Sequence, residues 1–250
     1  MASTTTTQNQ TGTARDQATV REVLDEVRAD GREALSAPEA KRVADAYGIP
    51  VPGEGLATSA DEAVSLAEEM GYPVVAKIVS PDILHKTEAN GVLVGLSSGD
   101  EVREGFESIV RNAKAYKSDA EITGVQIQQM LPEGTEVLVG AIKDPSFGPV
   151  VTFGLGGILV EVLRDVTFRL APVSGEDALD MVDSIRTAEI LHGVRGRPGV
   201  DLDAIAGLIV AVGELLIARA DVLEVDLNPV IASSESVVAV DALVVVAEPA

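Results

Sequence analysis

Short β-branched segments alternate with capped amphipathic helices along this chain of 250 residues. Val74–Val79 has the length and composition of a strand, and Ser59 opens a Ser-x-x-Glu capping box that is followed by apolar residues at helical spacing. From Glu136 onward, strand segments dominate and are separated by turn-forming residues. The pattern predicts a mixed α/β fold with two lobes that meet near residues 129–133.

Caps, periodicity and turn residues predict the individual elements. We expect a disordered tail over 1–18, N-terminal helices joining the lobes over 19–56, a smaller lobe over 57–129 and a larger lobe over 130–250. The predicted helices begin at Ser36, Ser59, Ser98 and near Gly175, and a long buried one covers Ile205–Leu216. The predicted strands are 74–79, 91–96, 124–129, 136–144 and 148–157, followed by a closing hairpin of 222–231 and 236–246.

The composition limits the compartment and the partners. Forty acidic residues against nineteen basic ones give a formal net charge of −21, which repels nucleic acid and anionic membranes. Hydration of the surface at high salt is one explanation of this excess. The absence of cysteine excludes disulfides, thiol nucleophiles and zinc–thiolate sites. No segment resembles a signal peptide or approaches the ~20 apolar residues of a membrane span, so we expect a cytoplasmic protein.

Lys77 interrupts the strand segment Val74–Val79. A buried ammonium needs an anionic partner, and the alternative is an edge lysine whose amine reaches solvent. His85 and Lys86 follow in a connection that closes at Asn90–Gly91, where backbone amides can approach a ligand closely. Alone, His85 would be an exposed loop histidine. Together these residues predict a site for phosphate oxygens.

A second polar group lies near the C-terminus. In the motif EVDLNP, period-two alternation places Glu224, Asp226 and Asn228 on one face of a strand. The closing hairpin would bring Asp241 beside Asn228, and burial of its carboxylate among valines would be costly without a cation. Carboxylate and amide oxygens suit Mg²⁺, which keeps waters and uses substrate phosphates to complete its shell. A ladder of acidic surface residues is the alternative.

The segment Phe153–Gly157, FGLGG, is too rich in glycine for a strand interior. It does not match the GxGxxG motif of dinucleotide-binding folds, because residue 159 is leucine, and it lacks the GK[ST] of a P-loop. A tight turn and close approach to a phosphorylated group both stay open for this segment.

Four motifs resemble those of a known family. The motifs AKIVSPDILHKTEANGV, DPSFGPVVTFGLGGILVEVLRDVTFRLAP, LHGVRG and EVDLNP, in this order, are similar to the ATP-grasp β subunit of ADP-forming acetate–CoA ligase (acetyl-CoA synthetase), a relative of the succinyl-CoA synthetase β subunit. The resemblance covers about Ser36 to Val246. It implies an ATP-grasp fold, in which two α/β lobes clamp ATP, and a structural role for His192 of LHGVRG.

The resemblance also implies roles for individual residues. Those predicted to bind the nucleotide are Lys77 at the α- and β-phosphates, His85 and Lys86 in the phosphate loop, Gln129, Met130 and Leu131 at the adenine edge, and Glu136 at the ribose. Asn228 and Asp241 would bind Mg²⁺. Asp226, in a catalytic group with Glu224 and His85, would position and stabilise a phosphohistidine.

The chemistry implied by the resemblance is acyl-CoA + ADP + phosphate ⇌ acid + CoA + ATP, through an acyl phosphate and a phosphohistidine. The main phosphohistidine belongs to a CoA-binding α subunit, and this sequence has no CoA-binding Rossmann fingerprint, so we expect an αβ-type hetero-oligomer. His85 would relay phosphate through its neutral imidazole. Two alternatives stay open: a self-contained ATP-grasp ligase that joins a carboxylate to an amine, and a non-catalytic ATP-sensing regulatory subunit.

Overall fold

The computed structural model describes residues 16–83, 86–157 and 164–247. In chain order the elements are α1 (Gln17–Ala29), α2 (Ala37–Ala46), β1 (Glu54–Ala57), α3 (Ala60–Met70), β2 (Val74–Val79), β3 (Val92–Leu96), α4 (Gly99–Tyr116), β4 (Gly124–Gln129), β5 (Thr135–Asp144), β6 (Gly148–Leu155), β7 (Val166–Leu170), α5 (Gly175–Ser184), α6 (Glu189–His192), α7 (Leu202–Ala218), β8 (Val222–Ala232), β9 (Val237–Ala239) and β10 (Leu243–Val246). The mixed helix and strand content predicted from the sequence is confirmed.

Two compact units make up the chain. The small unit is Pro52–Glu133, and the large unit combines Met1–Val51 with Gly134–Ala250. Helices α1 and α2, expected to join the lobes, contribute to the core of the large unit. Most of the predicted tail lies outside the described residues, but its last residues belong to α1, because the Asp16 side chain accepts the N–H groups of Ala18 and Thr19.

The serines predicted to begin helices are confirmed as caps. Ser36 and Glu39 form a capping box at α2, and the side chains of Ser59 and Ser98 accept N–H groups in the first turns of α3 and α4. Gly71 ends α3 with φ 82°, a conformation that favours glycine. Local sequence therefore fixes where these helices begin and where α3 ends.

The small unit contains a four-stranded antiparallel sheet of order β1-β4-β2-β3. Helices α3 and α4 pack on one face of it, over buried side chains that include Ala76, Ile78, Val125 and Ile127. Alternate residues of the same strands point to the opposite face, which carries the polar side chains. We call this the polar face of the small unit.

The large unit contains a six-stranded sheet of order β10-β8-β5-β6-β7, in which β9 also pairs with β8. Helix α7 packs on β5, β6 and β8, over core residues that include Val139, Phe153 and Leu227. The opposite face, which we call the open face, carries Asp226 and Asn228. No helix within the described ranges is long and apolar enough to cross a membrane.

Candidate functional site

Lys77 lies on the polar face of the small unit. Its Nζ donates to Oε1 of Gln128 at 2.7 Å, and Nε2 of Gln128 donates to Oε2 of Glu54 at 3.2 Å. The predicted alternation along β2 is confirmed, because its buried residues alternate with the half-buried Val75, Lys77 and Val79. An ammonium held in this way is oriented before any ligand arrives.

Gln128 is a site residue that the sequence interpretation missed. It is 4% exposed, and it links Lys77 on β2 to Glu54 on β1 from the strand between them. A signal was present, because Gln126 and Gln128 alternate with the apolar Val125 and Ile127. Two glutamines at period two on a central strand indicate a polar sheet face.

The connection between β2 and β3 folds back onto β2. The N–H of Gly91 donates to the Lys86 carbonyl at 2.8 Å, and the N–H of Ile78 donates to the Gly91 carbonyl at 2.7 Å. This arrangement places the Lys86 backbone beside the strand that carries Lys77. A Cβ at residue 91 would lie 2.5 Å from Cγ2 of Ile78, so close packing explains the glycine. His85 lies outside the described residues.

One prediction for this connection was wrong. The amides at Asn90 and Gly91 were expected to be available to a ligand, but the Asn90 N–H donates to the Thr87 carbonyl at 3.0 Å and the Gly91 N–H to Lys86. The turn satisfies its own donors, as buried backbone groups must. The predicted phosphate site therefore depends on the charge of Lys77 and Lys86, and this role remains a prediction.

Gln129 ends β4, and Met130 and Leu131 follow it. The Gln129 N–H donates to the Gly53 carbonyl at 2.8 Å, and the Met130 N–H donates to the Pro73 carbonyl at 3.2 Å. Met130 is 37% exposed, whereas Leu131 is half-buried. The segment precedes the boundary between the units at 133, and its role at an adenine edge stays a prediction.

Glu136 and Asn228 both lie against Gly157 in the large unit. The Gly157 N–H donates to Oδ1 of Asn228 at 3.4 Å, and a Cβ at residue 157 would lie only 1.6 Å from Oε2 of Glu136. Gly157 also has φ 59°, and a Cβ at Gly156 would lie 2.6 Å from the Val137 carbonyl oxygen. The glycines thus permit close packing on β5, and a phosphate-binding role for the loop remains a prediction.

Asp226 occupies the open face of the large unit together with Glu224 and Asn228, as the alternation predicted. Its neighbour across the strands is Gly140, where a Cβ would lie 3.8 Å from Oδ1 of Asp226. Burial, followed by the negative charges of Glu224 and Asp241, raises the pKa of Asp226. These carboxylates therefore concentrate negative charge around one half-buried acid.

The predicted burial of Asp241 in a continuous strand was wrong. The predicted strand over 236–246 is split into β9 and β10, both of which pair with β8, and Asp241 lies exposed in the break between them. The Val240 N–H donates to the Pro229 carbonyl at 3.0 Å, which places the break beside Asn228 as expected. The carboxylate is thus near Asn228 but is not buried among valines.

The donor set around Asn228 suits a hard cation that shares its ligands with a substrate. Asn228 and Asp241 offer amide and carboxylate oxygens, which Mg²⁺ prefers. Within 16–83, 86–157 and 164–247, no group of three His, Cys, Asp or Glu side chains could hold a metal ion. A cation here would need further oxygens from water or phosphate, as predicted for Mg²⁺.

Asp165 is a second residue that the sequence interpretation missed. It is 5% exposed and accepts the N–H groups of Arg186 and Thr187, each at 2.9 Å, and the Thr187 hydroxyl at 2.6 Å. Burial would raise its pKa, but these donors outweigh burial and lower it. The motif LRDVTFRLAP therefore contains a structural anchor that ties the start of β7 to the segment after α5.

Comparisons with known proteins agree with this architecture. The ATP-grasp domain family model matches residues 26–246. The β subunit of acetate–CoA ligase (ADP-forming) I of Pyrococcus furiosus is 49% identical over 225 residues, which cover 90% of this chain and 97% of that one. The suggested link between acidic composition and a high-salt habitat receives no support from this relative.

Solved structures give the same result. Acetyl-coenzyme A synthetase 1 of Ca. Korarchaeum cryptofilum, in complex with coenzyme A and Ca-AMPCP, has a TM-score of 0.85 and 42% identity, covering 91% of this chain and 99% of that chain. A second structure of that enzyme, with coenzyme A and Mg-AMPPCP and its phosphohistidine segment pointing towards the nucleotide binding site, has a TM-score of 0.81 and 38% identity, covering 91% and 100%. This chain belongs to the ATP-grasp family, among the β subunits of the ADP-forming acetate–CoA ligases.

Proposed function

We propose that this chain is the nucleotide-binding β subunit of an ADP-forming acetyl-CoA (acyl-CoA) synthetase. It makes ATP from ADP and phosphate at the expense of an acyl-CoA thioester, through transfer of a phosphoryl group from histidine. The observation that carries this proposal is the open face of β8, where Glu224, Asp226 and Asn228 follow one another at period two. This row combines carboxylates with an amide oxygen on one rigid strand.

The nucleotide phosphates bind the lysines of the small unit. Lys77 is oriented by Gln128, and Lys86 lies in the connection that folds back onto β2. The ammonium groups of these two lysines are well suited to phosphoryl transfer, because they neutralise negative charge on the oxygens of the phosphoryl group. Gln129, Met130 and Leu131 meet the adenine edge, and Glu136 binds the ribose.

Mg²⁺ is held by Asn228 and Asp241 and supplies charge neutralisation for the phosphates when it is bound. The fit rests on the donor chemistry and on the carboxylates around Asp226, whose pKa is raised first by burial and then by the charges of Glu224 and Asp241. Asn228 is kept in place by the Gly157 N–H. Nucleotide phosphates and water complete the set of oxygens.

Asp226 orients the incoming histidine. Its carboxylate accepts the N–H of one imidazole nitrogen, which leaves the lone pair on the other nitrogen free to carry or receive the phosphoryl group. The residue opposite Asp226 across the strands is Gly140, which adds no side chain to the open face at this point. His85 acts as a relay between that histidine and the nucleotide. Glu224 adds negative charge that stabilises an imidazolium.

A separate CoA-binding α subunit carries the main phosphohistidine, and the two chains form a hetero-oligomer in the cytoplasm. This partner is required because the proposed reaction needs CoA and an acyl group, and the site described above accounts only for the nucleotide and phosphoryl group. The relative with bound coenzyme A and Mg-AMPPCP supports this division, since it has a phosphohistidine segment.

The test mixes the purified chain with its α subunit, acetyl-CoA, ADP, phosphate and Mg²⁺ and measures ATP formation. We expect ATP only when both subunits are present. Turnover without the α subunit, with an acyl phosphate passed to an amine, would instead favour a self-contained ligase. Tight ATP binding that survives Asp226→Ala, with no phosphoryl transfer by the wild-type pair, would favour a regulatory subunit.

A further inference from the structure

An apolar patch lies on the open face of the large unit's sheet. We call it the β5–β7 patch and define it by Ile142, Val150, Phe168 and Leu170. Ile142 is 45% exposed, Phe168 and Leu170 are each 56% exposed, and Val150 is half-buried. These side chains stand on the face opposite to α7, so the large unit's own core does not use them.

Strand register joins this patch to the acidic row. Asp226 pairs with Gly140, which pairs with Thr152, which pairs with Phe168. Two residues away along the same strands, Glu224 pairs with Ile142. Ile142 in turn pairs with Val150, which pairs with Leu170. Three strand spacings separate Asp226 from Phe168, a distance of roughly 14 Å. The patch and the carboxylates are therefore one continuous surface.

The position of the patch at the sheet edge makes it unusual. Strand β7 is at the end of the strand order, and proteins generally protect edge strands with charged residues or a covering element. Strand β7 carries the charged Arg169, which pairs with Asp180 of α5, but on the open face Phe168 and Leu170 present two large apolar side chains in a chain of net charge −21. Contiguous exposed apolar surface of this kind marks a protein interaction site.

We propose that the β5–β7 patch is the docking surface for the histidine-bearing segment of the partner α subunit. This inference rests on the proposed function, because a segment that delivers histidine to Asp226 must lie on the open face. Its occupant is an extended or helical segment with a histidine over Asp226 and apolar side chains roughly 10–15 Å away, over Phe168 and Leu170. Apolar contact holds the segment, while the carboxylates orient the imidazole.

The test compares two variants of the full chain. Phe168→Ser/Leu170→Ser removes both apolar anchors, and Ile217→Ser is the matched control, since Ile217 is 49% exposed on α7, on the other side of the sheet. Binding of each to the α subunit is measured by titration calorimetry. We expect the dissociation constant to rise roughly tenfold or more for the double variant, as for loss of buried apolar anchors, and to stay unchanged for the control.

Hydrogen exchange on the wild-type chain gives an independent readout that needs no variant. Addition of the α subunit should slow amide exchange in β7 and leave α7 unaffected. An unchanged dissociation constant for the double variant together with unprotected β7 would overturn the proposal, even if the wild-type pair makes ATP. Dissociation of a dimer of this chain by the double variant, with α binding intact, would also overturn it, because a second copy would then be the occupant.

Failure of the proposed function has a different signature. A wild-type pair that associates through β7 but forms no ATP would support the docking surface and contradict the function. A wild-type pair that makes ATP while β7 stays unprotected would support the proposed function and contradict the docking surface.

Discussion

The Lys77 ammonium donates to Oε1 of Gln128, a residue on the neighbouring strand, at 2.7 Å. The two residues are separated by 51 positions in the chain, and Gln128 is in turn bonded to Glu54. A lysine on the polar face of the small unit would otherwise sample many rotamers, and its fixed position would reduce the entropy lost in the proposed binding of phosphate.

Replacement of Gln128 tests this relationship. Gln128→Leu removes the acceptor of Lys77 and the donor to Glu54, so we expect a loss of about 1–3 kcal/mol in the free energy of unfolding and roughly tenfold weaker ATP binding. Urea unfolding and equilibrium nucleotide titration provide the two measurements. Gln126→Leu, on the same strand and face, keeps the bond and should retain affinity; equal losses in both variants would contradict the orienting role.

The proposed role of Asp226 predicts that its replacement affects phosphoryl transfer more than nucleotide binding. Asp226→Ala should lower the rate of ATP formation by roughly a hundredfold or more, because it removes the group that we propose orients the histidine, whereas ATP affinity should change little. We expect the same asymmetry for His85→Ala. Rapid-quench kinetics and nucleotide titration measure the two quantities, and equal losses in rate and affinity would argue against the relay.

Replacement of Gly157 tests whether the position of the Glu136 carboxylate matters for ADP binding. Gly157→Ala adds a Cβ where Oε2 of Glu136 lies, 1.6 Å away, and should displace that carboxylate and weaken ADP binding roughly tenfold. Gly148→Ala is the control, since Gly148 also has positive φ but has no atoms within 4 Å of the added Cβ. Both variants lose about 1 kcal/mol of stability from backbone strain. A similar loss of ADP affinity in both would exclude a role for Glu136.

The proposed metal ligands predict a specific magnesium dependence. Asp241→Asn should raise the Mg²⁺ concentration for half-maximal ATP formation roughly tenfold, because a carboxylate ligand is replaced by a neutral amide oxygen. Nucleotide binding measured without Mg²⁺ should not change. An unaltered Mg²⁺ requirement would remove Asp241 from the ligand set.

The capping box at α2 makes a pH-dependent contribution to stability. Hydrogen bonds from the Arg32 guanidinium, together with those from Ser36, lower the pKa of Glu39 to about 2. The lowered pKa means that this contribution is present above the ordinary value near 4.5 and is lost as pH falls from about 5 to about 2. Glu39→Gln should be less stable than wild type by about 1 kcal/mol at pH 7, and the difference should shrink over that range in urea unfolding. A difference that does not depend on pH would show that packing, and not charge, is responsible.

Local sequence was sufficient for most of the elements and for the faces of β2 and β8, but it did not predict β1 and β7 or the separation of β9 from β10. Caps at Ser36, Ser59 and Ser98 depend on residues three positions away, and the alternation that turns Lys77 on β2 and Asp226 on β8 away from the buried core depends only on strand geometry. Motif order then identified the family.

Tertiary structure decided which polar groups meet. The bond between Lys77 and Gln128, the approach of Glu136 and Asn228 to Gly157, and the continuity of Asp226 with Phe168 depend on strand pairing between distant segments. The break at Asp241 has the same origin, because β9 and β10 both pair with β8. Sequence periodicity specifies the face on which a side chain lies, but the register between strands specifies its neighbours, and register is fixed only when the whole sheet assembles.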